Sequence, residues 1–340
     1  MGAALLLQGC QKPADTHTPE PEKLFVVPPH FPDPIYDLSA NPVTRKGFEL
    51  GRQLFYDPLL SVNGMVSCGS CHIQSAAFTQ HGHVLSHGVT DRPTRHNTMP
   101  IQNLAWMREF GWDGGVFHLD LFPPSPIQNV DEMGETLSNV LAKLNRSSRY
   151  RALFKEAFKV EKIEAAEFVK ALSQFQLMCI SADARYDRHV LGKAGGEMTA
   201  LELQGKVLFE QKCATCHSGV LFTDNRYRSN GLPVRDTTDR GREEITLNPT
   251  DRYRFRVPSL RNCAKTNPYM HDGRFETLDE VIEHYRFGVT DAPHTDALLK
   301  AGPQPGLDLT DDEQQALVAF LNTLTDTGFL TNEKLAEVLP

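Results

Sequence analysis

The chain has 340 residues, 40% of them hydrophobic, which is enough for two domains of ordinary size with real cores. Its net charge is −8 and no run of lysine or arginine stands out, which argues against nucleic acid as a partner. No apolar stretch reaches the roughly 18 residues that a membrane-spanning helix needs.

The chain opens with MGAALLLQGC. A short apolar run ending in Leu-Gln-Gly-Cys looks like a bacterial lipoprotein cleavage site, with Cys10 as the lipidated residue and candidate lipid anchor. The basic flank of a full export signal is missing, so the expectation is a truncated signal. Residues 11–35 are rich in Pro, Thr and charge and read as a tether. Next, ELGRQLFYDP predicts an amphipathic helix that delivers the chain to Cys68-Gly-Ser-Cys71-His72. The stretch AAEFVKALSQFQ predicts a later helix, followed by a joint near GKAGGEMT, residues 192–199. Then LQGKVLFEQK repeats the first pattern before Cys213-Ala-Thr-Cys216-His217, with Gly205 and Phe209 matching Gly51 and Phe55. In TLDEVIEHYRFG, residues 277–288, Thr277 and Glu280 form a capping box. There Leu278, Val281, Ile282 and Tyr285 share one helical face. Thr310 and Glu313 cap a last helix in TDDEQQALVAFLNTL.

Seven cysteines occur: Cys10, Cys68, Cys71, Cys179, Cys213, Cys216 and Cys263. Four of them form two Cys-x-x-Cys-His motifs, the attachment pattern of c-type haem. The sulfurs form thioethers to the porphyrin, and the following histidine becomes the iron's proximal ligand. A zinc site would pair the two cysteine units across a short loop, and these lie far apart. A redox dithiol needs no histidine after each pair. The reading is two haem c groups, held by Cys68, Cys71 and His72 and by Cys213, Cys216 and His217. The fold expected is mostly α: two cytochrome c-like haem domains packed face to face, spanning 36–192 and 193–330. A signal and tether precede them in 1–35, and a tail follows in 331–340. Cys179 lies in a helical apolar pattern and reads as a buried small hydrophobe; for Cys263 the sequence is silent. Each iron's distal position decides its role, and His81, His83, His87, His96, His271, His284 and Met270 are all candidates on composition alone.

Two such motifs at this separation resemble the bacterial dihaem cytochrome c peroxidase superfamily. GRQLFYDPLLS, WDG and VPSLRNCAKTNPYMHDGRFETLDEVIEHYRFG carry the resemblance, which runs from about residue 40 to residue 325. The resemblance implies a peroxide-reactive first haem with a glutamate over its open face, twenty residues beyond the tryptophan of WDG, which is Glu132. Cleaving a peroxide O–O bond needs a group that takes a proton from one oxygen and returns it to the other, as a carboxylate can. The bland alternative is a solvated loop glutamate beside Asp131 and Glu135. Trp112 corresponds to the tryptophan between the two haems; plain packing is its alternative role. A calcium ion between the haems is implied, with Asn97 and the carbonyls of Thr266 and Pro268 as ligands.

The position that carries a methionine ligand in ordinary members of the superfamily is Tyr285 here, which is similar to the MauG and MbnH branch. A phenolate is anionic and hard and favours oxidised iron, whereas a thioether favours ferrous iron. That branch implies a reaction with hydrogen peroxide that leaves a high-valent state spread over both haems. The state then oxidises a tryptophan or tyrosine of a partner protein, for the MbnH type a copper-binding one. The alternatives are a conventional peroxidase fed by a small cytochrome or cupredoxin, and a dihaem electron carrier inert to peroxide. Two departures stand out: Gln211 occupies the place of a surface tryptophan in MauG, and Gly115 replaces the arginine of WDGR. Covalent haem attachment of this kind takes place outside the bacterial cytoplasm, so the expected compartment is the periplasm.

Overall fold

The computed structural model describes residues 24–337. Cys10 and the signal expected around it lie outside the described residues. The chain is mostly helical. The main helices are α1 (Arg45–Tyr56), α2 (Leu137–Arg146), α3 (Ser148–Phe158), α4 (Ala165–Leu177), α5 (Ala200–Lys212), α6 (Leu278–Glu283), α7 (Asp311–Asn322) and α8 (Thr327–Leu330). Among the described residues the sheet is one short antiparallel pair, β1 (Tyr227–Arg228) with β2 (Phe255–Arg256), in which Tyr227 faces Arg256.

The internal repeat becomes a repeated helix crossing. In the first unit α1 starts where the Thr44 hydroxyl accepts from Gly47 N, and it buries Phe48, Leu54 and Phe55 against α4. In the second unit α5 buries Leu208 and Phe209 against α7. The matched glycines sit where the helices touch: a Cβ on Gly51 would run into the Ala171 carbonyl, and one on Gly205 into that of Ala316. Beside each crossing an aromatic pair closes the gap, Phe55 with Phe175 at 4.8 Å and Phe209 with Phe320 at 5.1 Å between ring centroids. Cys179 is fully buried in the first core, as expected, and Cys263 is buried in the second.

The two units meet across a buried polar network as well as apolar side chains such as Val220, Leu221 and Phe329. Arg261 reaches Asp187 with both terminal nitrogens, at 2.9 and 2.7 Å, and both side chains are buried. His30 Nε2 lies 2.9 Å from the same carboxylate. Gln102 donates to the Arg261 carbonyl, and Asn262 donates to Gln102 and Ser181.

The structure differs from expectation in two places. The tether predicted to residue 35 is packed from Phe25 onward: Phe25 and Phe31 are buried against Trp106, whose indole donates to Pro32 O at 2.7 Å. Three aromatic rings bury too much apolar area to stay in water, whatever the proline content around them. At the other end the chain returns to the first unit. Phe329 and Leu335 join its core, and Tyr56 donates to Leu335 O at 2.9 Å.

Candidate haem sites

Each Cys-x-x-Cys-His motif sits at the end of a delivering helix in a tight turn. At the first, Ser67 and Ser70 cap the turn Cys68–Cys71. His72 Nδ1 lies 2.6 Å from the Phe78 carbonyl. A carbonyl only accepts, so Nδ1 carries the proton and Nε2 keeps its lone pair for a metal. Ala77 and Phe78 take positive φ of 54° and 59°, which turns that carbonyl back to the ring. The second motif repeats the device: His217 Nδ1 lies 3.2 Å from both Phe222 O and Pro258 O, and Phe222 has φ 54°. Burial pushes His72 down to about 4 and lowers His217, so both imidazoles are neutral and able to ligate. Burial pushes the Cys68 and Cys213 thiols up to about 12. All four motif cysteines are free of disulfides.

An apolar cavity opens beside the second motif. Cys213, Cys216 and His217 form one part of its lining, and Phe209, Leu260, Leu317 and Leu321 others. Thiols for two thioethers, one imidazole nitrogen and greasy walls are the donor set of a c-type haem, so the residues fit the group. Leu278, Val281, Ile282 and Tyr285 all line this cavity, as their shared helical face predicted. The helix itself is shorter than the expected span of 277–288. α6 ends at Glu283, and His284–Gly288 continue as a wider turn of the π type. The Tyr285 carbonyl is taken by Leu307 N at 2.7 Å. Burial pushes the Tyr285 phenol up to about 12, against a hydrogen bond from Asn230. Asn230 also donates to Met270 Sδ at 3.3 Å, and its carbonyl bonds His284 Nε2 at 3.1 Å. Asn230 escaped sequence reading because it lies on an irregular loop with no periodicity or motif around it.

Near the first motif, Glu132 is half-buried on a turn. Burial raises its pKa, Asn129 donating to it at 2.8 Å lowers it, and Asp131 raises it; the net is upward. Its charge also raises the Cys68 and Cys71 thiols, which places it beside the haem motif. The turn is pinned by Val89 N, which donates to Glu132 O at 2.7 Å. Its neighbours have other partners: Glu135 is buried on Lys143 at 2.6 Å, and Asp131 faces Arg92 at 3.7 Å.

Trp112 stands at the junction of the two units. Its indole donates to Asn97 O at 2.8 Å, its carbonyl accepts from Arg256 N at 2.8 Å, and it lines the second cavity. Asn97 N donates to His271 O at 2.8 Å, beside the loop that carries Thr266 and Pro268, and Asn97 Nδ2 donates to Val84 O. Of the other candidate ligands, Met270 and His271 line the cavity with Tyr285, and His271 stacks on Phe255 at 3.7 Å. His96 pairs with Asp239 at 2.8 Å, and His81, His83 and His87 are exposed. The glycine at 115 has a counterpart in space. Arg242, from the second unit, donates to the carbonyls of Asp113 and Gly114 at 2.8 and 2.9 Å. A side chain at 115 would crowd Ile245.

Over 296 residues the chain is 35% identical to the methylamine utilization protein MauG of Methylorubrum extorquens, covering 86% of this chain and 82% of that one. The chain belongs to the di-haem cytochrome c peroxidase and MauG family. Residues 45–195 match the di-haem cytochrome c peroxidase family and residues 203–325 the cytochrome c family. The cytochrome c551 peroxidase of Nitrosomonas europaea is 31% identical over 303 residues, 86% of this chain and 84% of that one. A solved MauG-like protein associated with microbial copper homeostasis superposes with a TM-score of 0.82 at 34% identity, over 92% of this chain and 98% of that one. As a member of the di-haem family, the protein is a peroxide-reactive oxidoreductase with two c-type haems on two cytochrome c-like domains.

Proposed function

We propose that the protein uses hydrogen peroxide to oxidise a tryptophan or tyrosine of a partner protein in the periplasm. The observation that carries this reading is Tyr285, set in the wall of the cavity that Cys213, Cys216 and His217 line. Haem supplies, when bound, an iron centre that accepts the oxidising equivalents of peroxide. His72 and His217 would each hold an iron through Nε2, with Nδ1–H fixed by a backbone carbonyl. Tyr285 would ligate the iron of the second domain, 193–330, giving up its phenol proton to do so, and the resulting phenolate would favour the oxidised state. Glu132 serves the first domain, 36–192. Its raised pKa suits a carboxyl that takes a proton from one peroxide oxygen and gives it to the other. Trp112 lies between the units and would relay electrons between the two centres. Asn97 Oδ1 with the Thr266 and Pro268 carbonyls makes an oxygen-only set for a calcium ion. Similarity to a protein associated with copper homeostasis favours a small copper-binding partner. The periplasm follows from covalent haem attachment, and Cys10 is the proposed anchor.

Peroxide turnover with a reduced small cytochrome c as donor separates this reading from a conventional peroxidase. We expect Tyr285→Phe to change the ferric spectrum of one haem and to abolish oxidation of protein side chains. Steady turnover with the cytochrome that survives Tyr285→Phe unchanged would assign the protein to peroxide removal instead.

A further inference from the structure

A partner's aromatic side chain cannot enter a buried centre, so the oxidising equivalents must leave through a residue that touches both the interior and the surface. Position 211 offers a glutamine, which cannot carry them. Tyr227 meets both requirements. On its inner side the phenol lies against the turn that bears Trp112: a Cβ on Gly114 would strike its oxygen, and Arg256 Nη2 donates both to that oxygen at 3.0 Å and to Gly111 O at 3.1 Å. On its outer side Tyr227 lines an open cleft with Arg108, Glu109, Arg226, Arg242 and Arg254. The Glu109 carboxylate lines the same cleft close enough to raise the Tyr227 phenol's pKa, and Arg242 Nη2 holds it at 3.1 Å. The Arg242 guanidinium sits 4.1 Å from the ring centroid and that of Arg256 5.4 Å.

We propose that Tyr227 is the exit relay for oxidising equivalents, with Glu109 as its proton acceptor and an acidic patch of the partner seated over the cleft. The proposal rests on the protein-oxidising reading above. Two guanidinium groups beside the ring make a cationic tyrosine radical costly, so the proton has to leave with the electron. Glu109 is the carboxylate that lines the cleft beside that phenol and can take the proton. Tyr227 gives one electron inward, towards Trp112, and its phenol proton to Glu109, and becomes a neutral phenoxyl radical. An oxidisable side chain of the partner returns the electron, and Glu109 returns the proton. Two such passages remove two electrons and two protons from the partner, and one hydrogen peroxide becomes two waters. The docking charge is also on hand. Arg108 and Arg226 make no ion pair among the described residues, and the cleft sets four arginines against Glu109 and Asp251 on a chain of net charge −8. Such a local reversal of sign steers an acidic partner to this face.

The test uses the ferric dihaem protein, one equivalent of hydrogen peroxide and the spin trap 2-methyl-2-nitrosopropane, with peptide mapping by mass spectrometry and EPR of the haems. A synthetic acidic peptide containing one tryptophan serves as surrogate partner. We expect trap adducts on Tyr227, lost in Tyr227→Phe and diminished in Glu109→Gln, while the ferric signals respond to peroxide in both variants as in the native protein. Peptide oxidation should fall in step with the adduct. A native protein whose ferric signals respond to peroxide but whose Tyr227 stays unlabelled would overturn the relay alone. Unchanged peptide oxidation in Tyr227→Phe would do the same. Ferric signals that ignore peroxide altogether would overturn the protein-oxidising reading, and the relay with it.

Discussion

Glu132 is the residue on which the proposed peroxide chemistry turns. Its carboxyl is raised by burial and by Asp131, and Asn129 pulls it only part of the way back. Glu132→Gln keeps the size and the Asn129 contact but removes the proton shuttle. Stopped-flow mixing with peroxide should show a fall of about 10²–10⁴ in rate, the range for loss of a general acid–base group, with both haems still attached and their ferric spectra unchanged. A rate within a few fold of native would return Glu132 to the status of a loop residue. The motif cysteines and histidines were legible in the sequence because each set is local, within five positions. The inward direction of Tyr285 was legible because its face repeats at helical spacing, whereas its ligand role came only from the family resemblance. Asn230, Arg242 and Tyr227 were not, because they reach their partners from loops and short strands distant in the chain. Gly115 looked like a lost charge in the sequence, and the Arg242 guanidinium fills that region from another part of the chain.

At the scale of elements, the repeat in the sequence encoded a helix crossing as well as the approach to each haem motif. Gly51 and Gly205 are in helix interiors, where alanine is favoured by about 1 kcal/mol on propensity. At these two positions a Cβ meets a backbone carbonyl, which no rotamer change can move. Overpacking of this kind costs about 1–3 kcal/mol, so sterics outweigh propensity. Gly205→Ala should therefore lower the thermal midpoint, and Gly51→Ala likewise; a raised midpoint in either would mean that the helices part easily. The start of the helix at Thr277 was legible from its capping box. Its end was not, because the widening at His284–Gly288 depends on Leu307 and Gly306 closing on the Tyr285 carbonyl from a distant loop. The packed segment from Phe25 to Phe31 was hidden for a related reason: composition suggested a tether, and the aromatic rings found their partner in Trp106.

At the scale of the whole molecule, two cytochrome c-like units are held in register by a buried ionic group. Burial by itself would raise the Asp187 carboxyl, but the Arg261 fork, the Ala184 N–H and His30 hold it below the usual carboxylate range. A depressed pKa contributes stability that is complete above the unfolded-state pKa of about 4 and is lost as pH falls through the folded-state value. Native protein should therefore lose stability in acid below about pH 4, and part of that loss should vanish in Asp187→Asn. At neutral pH the same substitution strands Arg261 in the interior and should cost about 3–5 kcal/mol in urea unfolding. The fold class was legible because two local motifs and a repeat demanded two similar units. The joint between them was not, because Asp187, Gln102, Arg261 and Asn262 carry no pattern until folding brings them together. The two units matter together, since the proposed chemistry needs both haems to act as one. One equivalent of hydrogen peroxide added to the fully ferric protein, with no reductant and with EPR and Mössbauer detection, tests this most directly. With Tyr285 as the proposed ligand of the second haem, the ferric signals of both haems are expected to disappear together. A ferric protein that ignores peroxide until one haem has been reduced would contradict it, and Tyr285 would then be a packing residue in a conventional peroxidase.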